Sequence, residues 1–487
     1  MITDDQFKAW LKSDCPYRNV LLECTPKSNG VDNPLYLSQK NYRDTTSGIS
    51  YLAIISGGLQ FTEDLGVNGS ASMAYGDITM QNSNGEFDDA LNWIWRNKPV
   101  KILIGDISWA RTDYRVMLDG VMDDLIPSGS NKLSIRVRDK LQRLNTRLSE
   151  TKLGGTTDNK EQLLPITLGE CCNVTPLLVD PATVTYQVSI GAIEDIIECR
   201  DNGLPITITK DLANGKFSLP NGKPVGALTA SVQGLKIGTY VNDIANLIKH
   251  IAQYAGKPGT QFTDADIDLT NFTAFSTSYP QAVGYYVNAG ENSIAVMQEL
   301  AASIDARVMI SRTGKLTLKQ LAAPTGSATR TITADDMREN SFMPGEKIPL
   351  RAGIVLNYCK NWTVQKELKS AIPPEHKSLF ADEWQTQQVK NDTIATDYNE
   401  HVTPEPLTSY LINATEALAE ANRRLAFYST PITLYQFTGN FGCFDLTLGQ
   451  EITVVHQRFG FSAGKNVIVS KLVTDWFAGT VKVEAYS

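Results

Sequence analysis

The stretch that decides the reading is SASMAYGDITMQNSNGEFDDALNWIW, residues 70–95. It sets Asp77, Glu86, Asp88 and Asp89 beside two tryptophans, so it is either a reactive acidic cluster or a scaffold. MAYGDITMQN alternates apolar and polar residues, as a half-buried strand does, and it stops at NSNG, a turn signal. EFDDALNWIW has helical spacing, with Phe87, Leu91 and Ile94 or Trp95 on one face. Acidic residues in its first turn suit the positive end of a helix dipole. A calcium loop aligned on Gly85 would need an oxygen ligand at Met80 and a glutamate at Leu91, so that match fails. The stretch reads as strand, turn and helix rather than as a site.

The sequence around it reads the same way. RNVLLECTP, YLAIISGGLQF, PVKILIGDI, DYRVMLDGVMDDLI and NKLSIRVRDKLQRL are runs of strand length, some passing into helix. Residues 1–150 are therefore expected to form an N-terminal β-rich domain. Residues 151–230 carry the short strand signals TVTYQVSIG, LPITITKD and GKFSLP, a second β-rich domain. Residues 231–345 predict an α+β insertion. GTYVNDIANLIKHIAQYAG (238–256) has an apolar stripe of Val241, Ile244, Leu247, Ile248 and Ile251, with Gly256 as its stop. A second helix is expected over 291–305, then a hairpin with Arg312-Thr313-Gly314 at its turn. Residues 346–487 predict a small C-terminal β-barrel or sandwich preceded by a helix over 408–428, where Leu411, Leu418 and Leu425 recur every seven. The fold class is mainly β with an α+β insertion, multidomain. A chain of 487 residues supports roughly three or four domains.

Composition narrows the function. The net charge of −8 argues against a general nucleic-acid binder. MITDDQFKAWLK lacks the basic start and apolar core of a secretory signal, and no run reaches the ~20 apolar residues of a membrane span. The seven cysteines, Cys15, Cys24, Cys171, Cys172, Cys199, Cys359 and Cys443, contain no C-x-x-C and read as buried thiols of a reducing compartment. Cys171 and Cys172 are adjacent, and such neighbours rarely bridge.

Asp264, Asp266 and Asp268 alternate as on a solvated strand edge, and lack the glycine and glutamate of a calcium loop. GFSAG (460–464) matches the nucleophile-elbow pattern at Ser462, with His456 upstream, but both flanks read as strands where the motif needs a strand-to-helix turn. Gly464-Lys465 nearly spells a phosphate loop, one residue short and with Asn466 in place of Ser or Thr. His250, His376, His401 and His456 have no metal-ligand spacing. His250 is expected at a helix end, where a cation suits the dipole. Arg136, Arg138, Lys140 and Arg143 form a basic run that reads as a solvated face. Trp93, Trp95 and Trp109 read as core rather than as a sugar-stacking surface. No catalytic, cofactor-binding or metal residue is assigned, and no cofactor is expected.

Resemblance goes further. GGLQFTEDLGVNGSASMAYGDITMQNSNGEFDDALNWIWRNKPVKILIGD, with RVRDKLQRLN and PLLVDPATVTYQV, resembles tail structural proteins of long-tailed, siphovirus-type phages and prophages. LGQEITVVHQRFGFSAGKNVIVSKLVTDWFAGTVKVEAY, preceded by ATEALAEANRRLAFY, resembles the closing barrel of tail-tip and baseplate hub proteins. The resemblance implies a non-enzymatic virion protein of the tail, assembled in the host bacterial cytoplasm. It implies a central hub ring, a trimer with a hexamer as the alternative, joining the tail tube to the receptor-binding tip and helping to close or open the DNA channel. Its implied partners are the distal tail or tube protein, the tape measure, and a tail fibre or receptor-binding protein; no sequence-specific nucleic-acid binding is implied. Some hubs of this kind carry a lysin domain or an iron–sulfur cluster, and this sequence has neither a peptidase motif nor the cysteine spacing. The alternatives are a distal tail ring or peripheral carbohydrate-binding tail protein, and a serine hydrolase using Ser462.

Overall fold

The computed structural model describes residues 2–13, 17–67, 69, 71–255, 259 and 261–487. The chain is mainly β and folds into two compact units, each assembled from separated stretches. The first comprises Met1–Arg143, Met309–Pro349 and Pro431–Ser487; the second comprises Leu144–Val308 and Leu350–Thr430.

The first unit opens with a helix, Asp4–Lys12, capped reciprocally by Thr3 and Gln6. It then builds a nine-stranded sheet in the order Tyr42–Arg43, Ser50–Ala53, Leu35–Ser38, Arg18–Cys24, Pro99–Asp106, Arg115–Gly129, Lys132–Arg138, Ile78–Gln81, Ile55–Gly57. RNVLLEC carries three successive apolar residues, Val20, Leu21 and Leu22, because its strand is covered on both faces. Val20 and Leu22 enter the main core, while Leu21 packs with Tyr42, Tyr51, Leu103 and Tyr114.

A second, eight-stranded sheet runs Thr331–Ile332, Glu451–Val454, Lys465–Asp475, Thr480–Tyr486, Thr433–Gly439, Met343–Lys347. Gln60–Asp64 also pairs with Lys465–Asp475, and Ser72–Tyr75 pairs with Gln60–Asp64. The YLAIISGGLQF run is thus three strands divided between two sheets. The break comes at Gly58 (φ +83°) and Leu59 (φ +54°), both left-handed. A Cβ on Gly58 would lie 1.9 Å from the Asp77 carbonyl oxygen, so only glycine fits there. Residues of both sheets, among them Ile102, Ile104, Ile135, Val469, Leu472 and Val483, share one core.

Two expectations are corrected in this unit. No closed C-terminal barrel forms among the described residues: the strand path ends at Thr331–Ile332 and Met343–Lys347, which do not pair with each other. The Asp475 end of Lys465–Asp475 is taken instead by Gln60–Asp64. EFDDALNWIW is not an α-helix but a single 3₁₀ turn, Asp89–Asn92. The buried Asn82 side chain accepts from the Phe87 amide (3.0 Å), and the Ile94 amide pairs with the Lys27 carbonyl (2.7 Å), so backbone groups a longer helix would use are bonded elsewhere. Phe87 and Trp95 are buried, while Leu91 and Ile94 are exposed.

In the second unit a six-stranded sheet follows the order Leu204–Pro205, Ile193–Asp201, Leu228–Ile237, Ile166–Val174, Gly284–Val287, with Thr239–Tyr240 folded back on Leu228–Ile237. Four-stranded (Leu177–Asp180, Thr185–Gln187, Lys216–Ser218, Thr209–Asp211) and three-stranded (Gln385–Lys390, Gly353–Tyr358, Leu407–Thr408) sheets accompany it. The expected helix over 238–256 is Ile244–Tyr254, capped by Asp243 and buried along Ile244, Leu247, Ile248 and Ile251. Val241 precedes it, and the expected stop at Gly256 lies outside the described residues. The helix expected over 291–305 is Ser293–Ala302, capped by Asn292.

The helix Ala414–Tyr428 does not run its leucine heptad along one buried face, although Leu411 and Leu425 are buried. Leu411 precedes it, Leu418 is exposed, and the buried face is Ala417, Glu420, Ala421, Arg424 and Leu425. The charged residues belong there. Arg424 bonds Glu420 through Nε (2.6 Å) and the Ala302 and Ser303 carbonyls through Nη2 (2.8 and 2.9 Å). Arg423 bonds the same carboxylate (2.7 Å) and the Ile304 carbonyl (3.2 Å). Two guanidinium groups thereby add donors to the Ala302, Ser303 and Ile304 carbonyls at the C-terminal end of Ser293–Ala302, where positive charge is favoured. Glu420→Ala should destabilise this unit by about 3 kcal/mol, because Arg424 stays buried without its carboxylate; a urea titration of its unfolding transition measures this. Gly58→Ala should destabilise the first unit, lowering its urea midpoint, through the clash with Asp77.

Candidate functional site

Aromatic side chains gather around Lys360 in the second unit. Gly284–Val287 places Tyr285 and Tyr286 in its floor, both buried. Gly353–Tyr358 leads into Cys359, whose left-handed backbone (φ +47°) turns the chain toward Lys360 and Trp362. Tyr410 follows Leu407–Thr408, and Trp384 precedes Gln385–Lys390. Tyr410 lies 4.7 Å from Tyr285, 6.1 Å from Trp362 and 5.6 Å from Trp384, ring centre to ring centre. The Lys360 ammonium sits 4.3 Å from the Trp362 ring centre, 5.2 Å from Trp384 and 5.8 Å from Tyr410. Its ion pair with Glu383 is long, at 3.9 Å. Cation–π attraction thus holds the lysine over the rings.

Beneath them Glu299 accepts from the Tyr410 (2.7 Å) and Tyr285 (3.1 Å) hydroxyls. Burial, reinforced by that carboxylate, pushes both phenols above their ordinary range, so they act as neutral donors. Trp362 and Trp384 are half-buried. The arrangement offers stacking faces and one cation, which suit binding rather than proton transfer.

The residues singled out in the sequence do not converge here. Asp77 pairs with Arg136 (3.6 Å), and Asp88 accepts from Asn82 (2.7 Å). Asp264, Asp266 and Asp268 are not on a strand: Asp264–Asp266 is a 3₁₀ turn and Asp268 caps the helix Leu269–Ser278. Asp264 meets Lys249 (3.2 Å), and Asp266 closes a capping box on Thr263. That helix has no clear sequence period, but its Asp268 cap was a readable signal. Among the described residues no group of His, Cys, Asp and Glu could hold a metal ion.

Ser462 is exposed in the loop joining the antiparallel strands Glu451–Val454 and Lys465–Asp475, so GFSAG is a hairpin loop. His456 Nδ1 accepts from the Arg458 amide (3.2 Å). The basic run is neutralised by neighbours, Arg138 by Asp123 (2.8 Å) and Lys140 by Asp119 (3.0 Å). Trp95 is buried, and Trp93 and Trp109 pack partly buried on the same core. The half-buried tryptophans of the cluster are Trp362 and Trp384, separated in sequence and joined only by the fold.

His250 corrects the helix-dipole expectation. It lies within Ile244–Tyr254, stacked on Tyr254 (5.6 Å), and burial lowers its pKa, favouring the neutral ring.

No family model and no curated protein matches the chain. Among solved structures, it is similar to the 43 kDa tail protein of prophage MuSo2 from Shewanella oneidensis, at 11% identity and a TM-score of 0.38, covering 96% of this chain and 98% of that one. A tail protein from Neisseria meningitidis MC58 gives 9% identity, a TM-score of 0.38 and 96% coverage of each chain. Prophage tail protein gp18 from Listeria monocytogenes EGD-e gives 8% identity and a TM-score of 0.35, over 96% of this chain and 94% of that one.

Because the folded state holds His250 neutral, the unfolded chain binds its proton more readily. Stability should be unaffected by this residue above the ordinary imidazole pKa and should fall as pH drops below it. His250→Leu should flatten that decline below about pH 6.5, read by denaturant midpoints as the pH is lowered.

Proposed function

We propose that this chain is a structural protein of a phage tail tip, forming the central hub ring between tail tube and receptor-binding tip and helping to gate the DNA channel. One observation carries the reading. The two stretches that resemble tail proteins lie far apart in sequence, yet Gln60–Asp64 of the first pairs strand to strand with Lys471–Asp475 of the second. Both stretches thus belong to one sheet, which supports reading them as parts of one tail-type module. The eight-stranded sheet also ends on Met343–Lys347, exposed at every residue. Such an edge suits lateral contact with a neighbouring subunit, and Pro344, Glu346 and Lys347 on it limit indiscriminate pairing.

The expected assembly is a homo-oligomer, a trimer with a hexamer as the alternative, in contact with distal tail or tube, tape-measure and fibre proteins in the virion. No helix among the described residues is long and apolar enough to cross a membrane. A non-enzymatic role agrees with Ser462 on a hairpin loop. A peripheral carbohydrate-binding role is favoured by a different observation, the half-buried Trp362 and Trp384 beside Lys360.

Native mass spectrometry with negative-stain class averages of the purified chain tests the reading. A threefold ring with a central hole is expected. A sixfold ring would move the protein to the distal-tail position. A compact monomer at every concentration would overturn the hub. Host-glycan binding lost in Trp384→Ala, without ring formation, would establish the carbohydrate reading in its place.

A further inference from the structure

Six of the seven cysteines are described, and all six are free thiols. Cys24, Cys171, Cys199 and Cys443 are buried, and burial raises the pKa of each. Cys172 and Cys359 differ. Both are partly exposed, and their Sγ atoms lie 3.6 Å apart although the residues are 187 positions apart in sequence.

Backbone contacts bring them together independently of the sulfurs. The Trp362 amide donates to the Cys172 carbonyl (3.1 Å), and the Cys359 amide donates to the Leu411 carbonyl (2.7 Å). Cys172 and Asn361 form a parallel bridge. The buried Asn361 side chain donates to the Phe380 (2.8 Å) and Asp382 (3.0 Å) carbonyls, fixing the segment beyond Cys359. Among the described residues the pair belongs to no group of three or more His, Cys, Asp and Glu side chains that could hold a metal ion.

We propose that Cys172 and Cys359 are a redox-responsive thiol pair that closes into an intramolecular disulfide when the protein meets an oxidising medium. The sulfurs must approach by roughly 1.5 Å to reach bonding distance, within the range of side-chain rotation. The oxidant class is a low-molecular-weight disulfide, with oxidised glutathione as the probe. The Cys359 thiolate attacks one sulfur of that disulfide, forming a mixed disulfide and expelling one glutathione thiolate. Cys172 then gives up its proton and attacks the Cys359 sulfur, expelling the second. Two protein thiols are oxidised to one disulfide, and one glutathione disulfide is reduced to two thiols, which carry both protons.

The order of attack follows from the pair itself. Either sulfur can donate across this contact; with Cys172 as donor, the bond stabilises a Cys359 thiolate and lowers its pKa against the effect of burial. The same bond, with burial, raises that of Cys172. Closure would tie the strand Ile166–Val174 to the segment that carries Lys360 and Trp362, bracing the aromatic cluster. This inference stands apart from the hub reading, since it concerns bonds within one chain.

The test uses the full chain, treated with oxidised glutathione at mildly alkaline pH, then denatured, alkylated with iodoacetamide and weighed whole. Five alkyl groups are expected where the reduced chain with its seven cysteines takes seven, with one cross-linked peptide joining Cys172 to Cys359. Thermal unfolding of the oxidised chain should rise by roughly 5–15 °C and return on addition of dithiothreitol. Cys172→Ser and Cys359→Ser should each abolish the internal cross-link and the thermal shift. Seven alkyl groups after oxidation, a cross-link between other cysteines, or a disulfide between two chains would overturn the proposal. The peptide map of the unsubstituted protein decides the matter even where a serine variant fails to fold.

Discussion

The first unit depends on one pairing, Gln60–Asp64 against Asp475–Lys471. It commits a strand from the start of the chain to a sheet made largely from its end. Ordering so long a loop costs conformational entropy, though the cost grows only slowly with length. The pairing offsets it in three ways. It adds a ladder of backbone hydrogen bonds. It sets Lys471 directly opposite Asp64 (3.0 Å), a cross-strand ion pair. It also buries Glu63 against Arg312, whose guanidinium bonds the Phe444 carbonyl (2.7 Å) and Thr474 (3.2 Å) as well. One arginine thus ties the middle stretch, Met309–Pro349, to the early and late ones. The left-handed turn at Gly58 and Leu59 makes this possible by taking the chain out of one sheet and into the other.

The second unit meets a comparable need with buried charge. The helix Ser293–Ala302 ends in backbone bonds from the Ser303, Ile304 and Asp305 amides, and side-chain donors gather on the same carbonyl end. Arg423 and Arg424, both held by Glu420, supply the donors. This explains a helix that buries two charged residues while exposing Leu418. A buried triad of this kind is weak evidence of net stability, but it fixes which helix face meets which helix end.

Function follows from where the remaining groups are left. The acidic and basic side chains that drew notice in the sequence are largely consumed in caps, turns and ion pairs. What stays available is a sheet edge at Met343–Lys347, a set of aromatic faces around Lys360, and two sulfurs within 3.6 Å. The first is the edge proposed for assembly, the second the faces proposed for recognition, and the third the pair proposed to respond to oxidation. None of them requires the others.

The sequence by itself determined the strands whose apolar patterning is strong: Arg18–Cys24, Pro99–Asp106, Lys132–Arg138 and Lys465–Asp475. It also determined the helices Ile244–Tyr254 and Ser293–Ala302, where a polar cap precedes an apolar face. It identified GFSAG as a hairpin loop, because flanking strands are legible locally. Tertiary structure decided what depends on distant partners. Gly58 and Leu59 divided one apolar run between two sheets, and Thr331–Ile332 and Met343–Lys347, the ends of the C-terminal sheet, do not pair with each other, so it stays open. Asn82 and Lys27 claimed backbone groups that the helical spacing of EFDDALNWIW would otherwise have used. The aromatic cluster and the Cys172–Cys359 contact unite residues more than a hundred positions apart. Local periodicity reports which face of an element is buried, not which other element buries it, and so neither could be read before the chain was folded.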